Sequence, residues 1–399
     1  MANTINDFLS SEEVDSIRRP IEQALTLPAF AYVDPDFYQL EIEKIYQQNW
    51  VAALFASEIS NPGDVKPFEV CEIPLLAIHG DDGQIRVFHN ICPYDGCLVA
   101  IDADVNCVEI VTPYHGWIYS LRGKLTKIPY WDGSQKGDLQ ALKGKEVDLI
   151  SVSAEVFLNT VFINLSDSPL SFTDYVAPVE RAMNEYDLTN CRPGIDKDGN
   201  VYNSRTYVQT NWKTYFENAC LNVLHENFVH ELYRASSEVP RIKSDGIASF
   251  KSIIDKKFMA LSYNRLDFQK TYPPVDAPHL GLNKDNEPEQ ETFGTLYPNF
   301  YVSASSQFIE TGIVLPKGPN KIESNVCYHF QRKVATSEEA LPARKAVAEG
   351  FYGAAMEDAR IAEAIQKARK SPVYKQKFYA PFWDAMHHYL NQLILTDLE

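Results

Sequence analysis

Cys92-Pro93-Tyr94-Asp95-Gly96 and, further on, Thr112-Pro113-Tyr114-His115-Gly116-Trp117 are the runs on which the fold of this chain turns. Each reads as a loop between short strands, so that the two loops can approach each other across a small sheet. Upstream, Leu75–His79 and Ile85–Phe88 flank Gly80-Asp81-Asp82-Gly83, a hairpin signature whose Asp-Gly step supplies the positive φ. Val108–Val111 and Trp117–Tyr119 bracket the second loop, Arg122-Gly123-Lys124 makes another turn, and Val156–Leu158 with Val161–Ile163 close the block. This texture predicts an all-β module, placed at residues 46–165.

Residues 1–45 and 166–399 read differently, as helices mixed with longer strands. Ser10 or Ser11 followed by Glu12 and Glu13 starts a helix with acids in its first turn, where the helix dipole favours them. Pro35–Gln48 carries apolar residues at helical spacing, and 211–233 is helical in composition. Segments 248–264 and 293–334 read as strands. A long helix is expected from Ser337, as its cap, to about Lys370, and a last one over Pro381–Leu398. The class is α+β: an all-β domain beside a domain of antiparallel sheet flanked by helices.

Composition excludes several roles. The chain has 399 residues, 45% hydrophobic and 12% aromatic, which rules out a disordered or collagen-like protein. Lys and Arg number 37 against 54 Asp and Glu, a net charge of −17, so neither a phosphate backbone nor an anionic membrane finds a basic footprint. No nucleic-acid or membrane partner is expected. The N-terminal run has neither a basic nor an apolar region, so no signal peptide is expected. The seven cysteines are odd in number and scattered from Cys71 to Cys327, which predicts reduced thiols in a cytoplasmic protein.

The two loops resemble the cluster motif of the Rieske non-heme iron oxygenase α subunits, the aromatic-ring hydroxylating and choline- or betaine-type monooxygenases. That motif is Cys-x-His, then 15–17 residues, then Cys-x-x-His. Here 17 residues separate Tyr94 from Thr112, and Pro113-Tyr114-His115-Gly116-Trp117 keeps the family's wording. Two ligand positions differ: the first histidine is Tyr94 and the second cysteine is Thr112. A Rieske centre needs two cysteines on one iron and two histidines on the other. Only Cys92 and His115 remain, and a threonine hydroxyl is a poor substitute for a thiolate. The [2Fe–2S] cluster is therefore expected to be absent, with Cys92 a small buried hydrophobe and His115 a residue holding its turn.

A second constellation runs from Asn211-Trp212-Lys213 through Glu217-Asn218 to His225 and His230. Two histidines five apart point about 140° from each other on an ideal helix. They share a metal only if the helix ends, bends or takes a π-turn between them. Otherwise they are two ordinary helix histidines, one buried and one solvated. The segment is similar to the family's iron motif, which implies that His225 and His230 hold a mononuclear Fe(II). The family's third ligand, an aspartate in a Glu-Asp context near the C-terminus, corresponds to Asp358 beside Glu357, with Gln366 beyond. Two histidines and one carboxylate leave open positions where O2 and substrate meet. Each histidine would need an acceptor on its other nitrogen.

Asn222 stands where the family carries a carboxylate that bridges to a neighbouring subunit's cluster. Asn218 and Asn222 are expected to supply polarity beside the metal. Cluster ligands and bridge thus change together while the iron ligands are kept. The resemblance implies an oxygenase acting on O2 and a small organic substrate without its own cluster, taking electrons from the substrate or an outside donor. Two other roles stay open: a non-catalytic partner of a complete paralogue, and a ligand-binding sensor. The family's ring-shaped trimers imply a homotrimer, or a hetero-oligomer with that paralogue. Tyr215, Phe216, Tyr297, Tyr301 and Phe308 suit either an apolar pocket or core packing, and His387-His388 is read as surface.

Overall fold

The computed structural model describes residues 4–231, 250–266, 277–282 and 287–399. The chain divides into two compact units, one made of Met1–Val51 with Leu170–Glu399 and the other of Ala52–Pro169. Among the described residues no helix is long and apolar enough to cross a membrane.

The larger unit begins with α1 (Ser11–Arg18), capped by Ser10, whose side chain accepts the Glu13 N–H while Glu13 reaches back to the Ser10 N–H. Asp34 caps α2 (Pro35–Glu41), with Pro35 in the first turn. The helix expected to reach Gln48 instead passes into a π-turn over Ile42–Tyr46.

The smaller unit holds strands β1 (Val51–Phe55), β2 (Val65–Val70), β3 (Ile73–His79), β4 (Ile85–His89), β5 (Ile110–Val111), β6 (Ile118–Tyr119), β7 (Leu125–Lys127), β8 (Ser151–Phe157) and β9 (Thr160–Asn164). Six of them form a sheet in the order β1-β9-β8-β4-β3-β2, and β5-β6-β7 form a second, smaller sheet. Gly83 supplies the positive φ of the β3–β4 hairpin, as its Asp-Gly step predicts. The strand expected from Val108 starts only at Ile110: the Cys107 N–H is already bonded to the Gly63 carbonyl, and Val108 projects into solvent. The apolar core of this unit includes Leu76, Phe88, Trp117 and Tyr119.

The larger unit resumes with α3 (Phe172–Ala182), β10 (Cys191–Pro193) and β11 (Asn203–Val208), then α4 (Trp212–Ala219) and α5 (Glu226–Val229). Strands β12 (Phe250–Asp255), β13 (Phe258–Asn264), β14 (Gln290–Leu296), β15 (Phe300–Ala304), β16 (Ile309–Pro316) and β17 (Ile322–Gln331) follow. They build an antiparallel sheet in the order β10-β17-β16-β15-β14-β13-β12, with β11 also pairing β17. Helices α6 (Arg332–Thr336), α7 (Leu341–Arg369) and α8 (Ala385–Leu398) complete the unit.

Two helix expectations are corrected here. Ser337 does not cap the long helix; it ends α6, and α7 starts at Leu341. A helix begun at Ser337 would need an N–H from residue 342, and Pro342 has none, so the helix opens with Pro342 in its first turn. The helical segment expected over 211–233 is broken in two; residues 232–249 lie outside the described residues. Asn211 caps α4 through the Lys213 N–H, and the helix stops at Ala219. Beyond it the Asn222 side chain accepts the Leu224 N–H at 2.8 Å, a local turn that competes with helical bonding.

Candidate metal centre

The break after α4 is what brings the two histidines together. His225 precedes the single turn of α5 and His230 follows it, so both rings leave one turn of helix toward the same side. His225 Nε2 lies 3.2 Å and His230 Nε2 3.7 Å from Asp358 Oδ1, which projects from α7. The ligating atoms of the three side chains all lie within 4.8 Å of one another. Among the described residues this is the one group of three or more His, Cys, Asp or Glu side chains that could hold a metal ion.

The other ring nitrogens are occupied. His225 Nδ1 lies 2.6 Å from the Asn222 carbonyl oxygen, and His230 Nδ1 lies 2.9 Å from Glu357 Oε2. Each acceptor takes the Nδ1 proton and turns its ring so that Nε2 faces Asp358, the nitrogen that gives up its proton when a metal ligand is made. Asn218 Nδ2 donates to Asp358 Oδ1 at 3.2 Å and holds the carboxylate in place. Burial opposes charging His225, but the hydrogen bond and charge of Asp358 outweigh it and hold the imidazole pKa above its usual value.

Behind the centre, polar groups lock α4 to its neighbours. Lys213 and Glu41 form an ion pair at 2.6 Å with neither side chain exposed, and Trp212 Nε1 donates to the other Glu41 oxygen. Arg369 and Tyr32 both bond Glu217, at 2.5 and 2.6 Å. Burial alone would raise the Glu217 pKa, but Arg369 and His387 more than reverse it and hold the carboxylate ionised. His387, expected at the surface, is therefore corrected: its side chain is largely buried, with Nε2 3.1 Å from Glu217 Oε1. The pull is the buried carboxylate beneath it. A cavity of about 430 Å³ opens here, lined by Glu217, Asn218, Asn222, His225, Arg369 and His387 among others.

In the smaller unit the two turns keep matching backbones. Gly96 N donates to the Cys92 carbonyl and Gly116 N to the Thr112 carbonyl, both glycines at positive φ. The side chains have other employment. Thr112 Oγ1 accepts the Trp117 N–H at 3.0 Å, and His115 Nδ1 pairs with Asp95 Oδ2 at 2.6 Å. Tyr94 stacks on Trp117, ring centroids 4.8 Å apart, with Trp131 against its edge. Cys92 is buried with its sulfur 3.8 Å from the Tyr119 hydroxyl, and burial raises its thiol pKa.

Residues 185–394 match the family described as ring hydroxylating alpha subunit (catalytic domain), and residues 49–142 match the Rieske [2Fe-2S] domain. The chain belongs to the Rieske oxygenase alpha subunits. This alpha subunit is 22% identical over 373 residues to the chloroplastic choline monooxygenase of Amaranthus tricolor, covering 93% of this chain and 77% of that protein. It is 26% identical over 200 residues to the glycine betaine monooxygenase oxygenase subunit of Pseudomonas aeruginosa, covering 50% and 44% of the two chains. Its fold matches a solved quaternary ammonium Rieske monooxygenase with a TM-score of 0.75 at 17% identity, covering 96% and 98%. It also matches naphthalene 1,2-dioxygenase from a Rhodococcus species with a TM-score of 0.71 at 17% identity, covering 98% and 99%. It is an oxygenase-class enzyme of a family that uses non-heme iron, O2 and small substrates.

The alpha subunit's sequence did not disclose the two acceptors behind the histidines. Asn222 acts through its main-chain carbonyl, which no side-chain motif can reveal, while its amide donates to Asp384. Glu357 carries no motif signal of its own; one step along the helix from Asp358 turns its side chain by about 100°, enough to face the flank of His230 rather than its Nε2.

Proposed function

We propose that this alpha subunit is a mononuclear non-heme iron oxygenase that acts on a small quaternary ammonium compound and carries no Rieske cluster of its own. One observation carries the iron reading: two imidazole Nε2 atoms converge on Asp358 Oδ1 while both Nδ1 positions are tied to acceptors. Two neutral imidazoles and one carboxylate are the donor set that suits Fe(II) with open positions. Bound there, Fe(II) would supply the binding and activation of O2. The chain's own residues do the rest: Asn222 and Glu357 orient the rings, and Asn218 steadies the carboxylate. The choline and glycine betaine relatives support a quaternary ammonium substrate.

The residues at the cluster positions do not fit a [2Fe–2S] group. Two sulfur and two imidazole donors are required. The Tyr94 ring lies against Trp117, the Thr112 hydroxyl is taken by a backbone N–H, and His115 is paired with Asp95. Electrons then come from the substrate or from a donor outside the chain. A trimer like those of the family, either of this chain alone or with a complete paralogue, would place such a donor nearby, and the scattered cysteines suit the cytoplasm.

Metal and acid-labile sulfide analysis of anaerobically purified protein, with an ultraviolet–visible spectrum and O2 uptake in the presence of choline, tests both parts. The expected protein is nearly colourless, holds at most one iron per chain, contains no sulfide and consumes O2 once loaded with Fe(II). A brown protein with two further irons and two sulfides would overturn the cluster reading. Failure to bind Fe(II) would overturn the iron reading.

A further inference from the structure

We propose that Asp384 is a positioning residue of the metal centre: it acts through the Asn222 side chain to hold the carbonyl that orients His225. This rests on the iron reading above and deepens it, since it names the group that keeps the His225 acceptor in place.

Asp384 stands at the N-cap of α8, and aspartate is among the best capping residues, yet its side chain makes no capping bond there. Its two oxygens are engaged elsewhere. One accepts the Ala380 N–H at 2.6 Å while the Asp384 N–H returns to the Ala380 carbonyl at 2.9 Å, which ties the carboxylate into its own turn. The other accepts the Asn222 amide. From there the bonds run on to the metal centre. The Asn222 side-chain oxygen accepts the Leu224 N–H at 2.8 Å, and the Asn222 carbonyl faces His225 Nδ1 at 2.6 Å. Asparagine suits this position because its side chain offers a donor and an acceptor at once. With both ends of the amide engaged, one orientation is favoured.

Packing does not supply that orientation. Leu221 and Val223 are buried and fix where the segment lies, whereas Asn222, Leu224 and His225 are half-buried and line the cavity of about 430 Å³. Apolar burial is non-directional, so it does not decide which way the peptide between residues 222 and 223 faces. The polar bonds do. The next main-chain bond, from the Glu226 N–H to the Val223 carbonyl, is long at 3.3 Å. Three residues after Asp384, His387 Nε2 lies 3.1 Å from Glu217 on α4. The start of α8 is thus attached both to α4 and to the segment beyond its break, the break that lets the two histidines converge.

The test loads the full chain with Co(II) as a paramagnetic probe. Each ligand imidazole then gives a strongly shifted N–H proton resonance, sharp while its acceptor protects it from exchange with water. Wild type should show two, and Glu357→Ala identifies the one from His230. In Asp384→Ala the His225 resonance should broaden by exchange while that of His230 stays sharp, with Fe(II) affinity falling about three- to tenfold, less than the loss of a direct partner causes. Circular dichroism checks the fold. Asn222→Asp combined with Asp384→Asn preserves every bond: the new carboxylate accepts the amide and the Leu224 N–H, and the new amide oxygen accepts the Ala380 N–H. That pair should restore the sharp His225 resonance and most of the affinity that each single substitution loses, a comparison that stands even where Asp384→Ala does not fold. A His225 resonance as sharp in Asp384→Ala as in wild type would overturn the proposal, as would a double variant no better than its worse single. Wild type that takes up neither Co(II) nor Fe(II) removes the iron reading. Hydrogen exchange at the Leu224 amide of metal-free protein then decides the Asp384 link, faster exchange in Asp384→Ala upholding its grip on the turn and unchanged exchange overturning it.

Discussion

Glu357→Ala offers a direct test of how the metal centre is built. Glu357 is not itself a proposed ligand; it accepts the His230 Nδ1 proton at 2.9 Å and also the Glu231 N–H at 3.3 Å. A hydrogen bond to a charged acceptor contributes roughly 1.5–3 kcal/mol. The Glu357 side chain is 34% exposed, so solvent screening places it in the lower half of that range. About 1.5 kcal/mol is a little over tenfold in affinity. Loss of the acceptor also frees the imidazole to take the wrong tautomer, and removal of such outer partners costs about 10–100-fold in metal affinity. We therefore expect Glu357→Ala to bind Fe(II) about 10–50-fold more weakly, with Glu357→Gln, which keeps an acceptor oxygen but no charge, losing less than tenfold. Anaerobic competition against a chromophoric chelator measures this, with circular dichroism confirming the fold. Wild-type affinity in Glu357→Ala would refute the claim that Glu357 orients His230.

Lys213→Met, which strands Glu41 in the interior, should cost about 3–5 kcal/mol, and adding Glu41→Leu should recover most of it; urea unfolding followed by tryptophan fluorescence gives both values. Burial raises the Glu291 carboxyl to about 8, with the Ser306 N–H and Arg265 pulling against it. The folded state therefore holds a proton that the unfolded state releases near its ordinary pKa, and wild type should lose stability as pH rises from about 4.5 to 8, by at most about 1.4 kcal/mol per pH unit. The advantage of Glu291→Gln over wild type in urea unfolding should accordingly be larger at pH 8 than at pH 5, and a constant difference would contradict it. Tyr94→His combined with Thr112→Cys should allow a [2Fe–2S] cluster to be reconstituted, read as a brown protein with two acid-labile sulfides, because both turns already have matching backbones.

What the sequence disclosed and what it withheld divide along a physical line. Features set by near neighbours were legible: the helix start at Ser10 or Ser11 with acids in its first turn, the Gly83 hairpin, and the two loops around Cys92–Gly96 and Thr112–Trp117. The placement of His225 and His230 was half legible, since the angular argument required a break between them without saying where. The break comes from Asn222 bonding the Leu224 N–H, a turn that helical composition alone does not show. Ser337 misled because its own capping signal is strong, while the veto came from Pro342, five residues on. Burial across the fold was invisible: His387 looks like a surface residue in sequence and becomes buried only because Glu217, far away in the chain, lies under it.

The two metal-related regions differ in what would remain if the metal chemistry were lost, and this bears on why they diverge. In the smaller unit the turns are held by backbone bonds to the Cys92 and Thr112 carbonyls, by the Thr112 hydroxyl and by the Tyr94–Trp117 stack, none of which needs a cluster. The Tyr94 ring adds aromatic contact there, so these turns are held by contacts of their own. In the larger unit the histidines and Asp358 converge, and Asn218, Glu357 and the Asn222 carbonyl orient them. Three converging donors with their outer partners are the physical reason for the proposal that the chemistry sits at His225, His230 and Asp358.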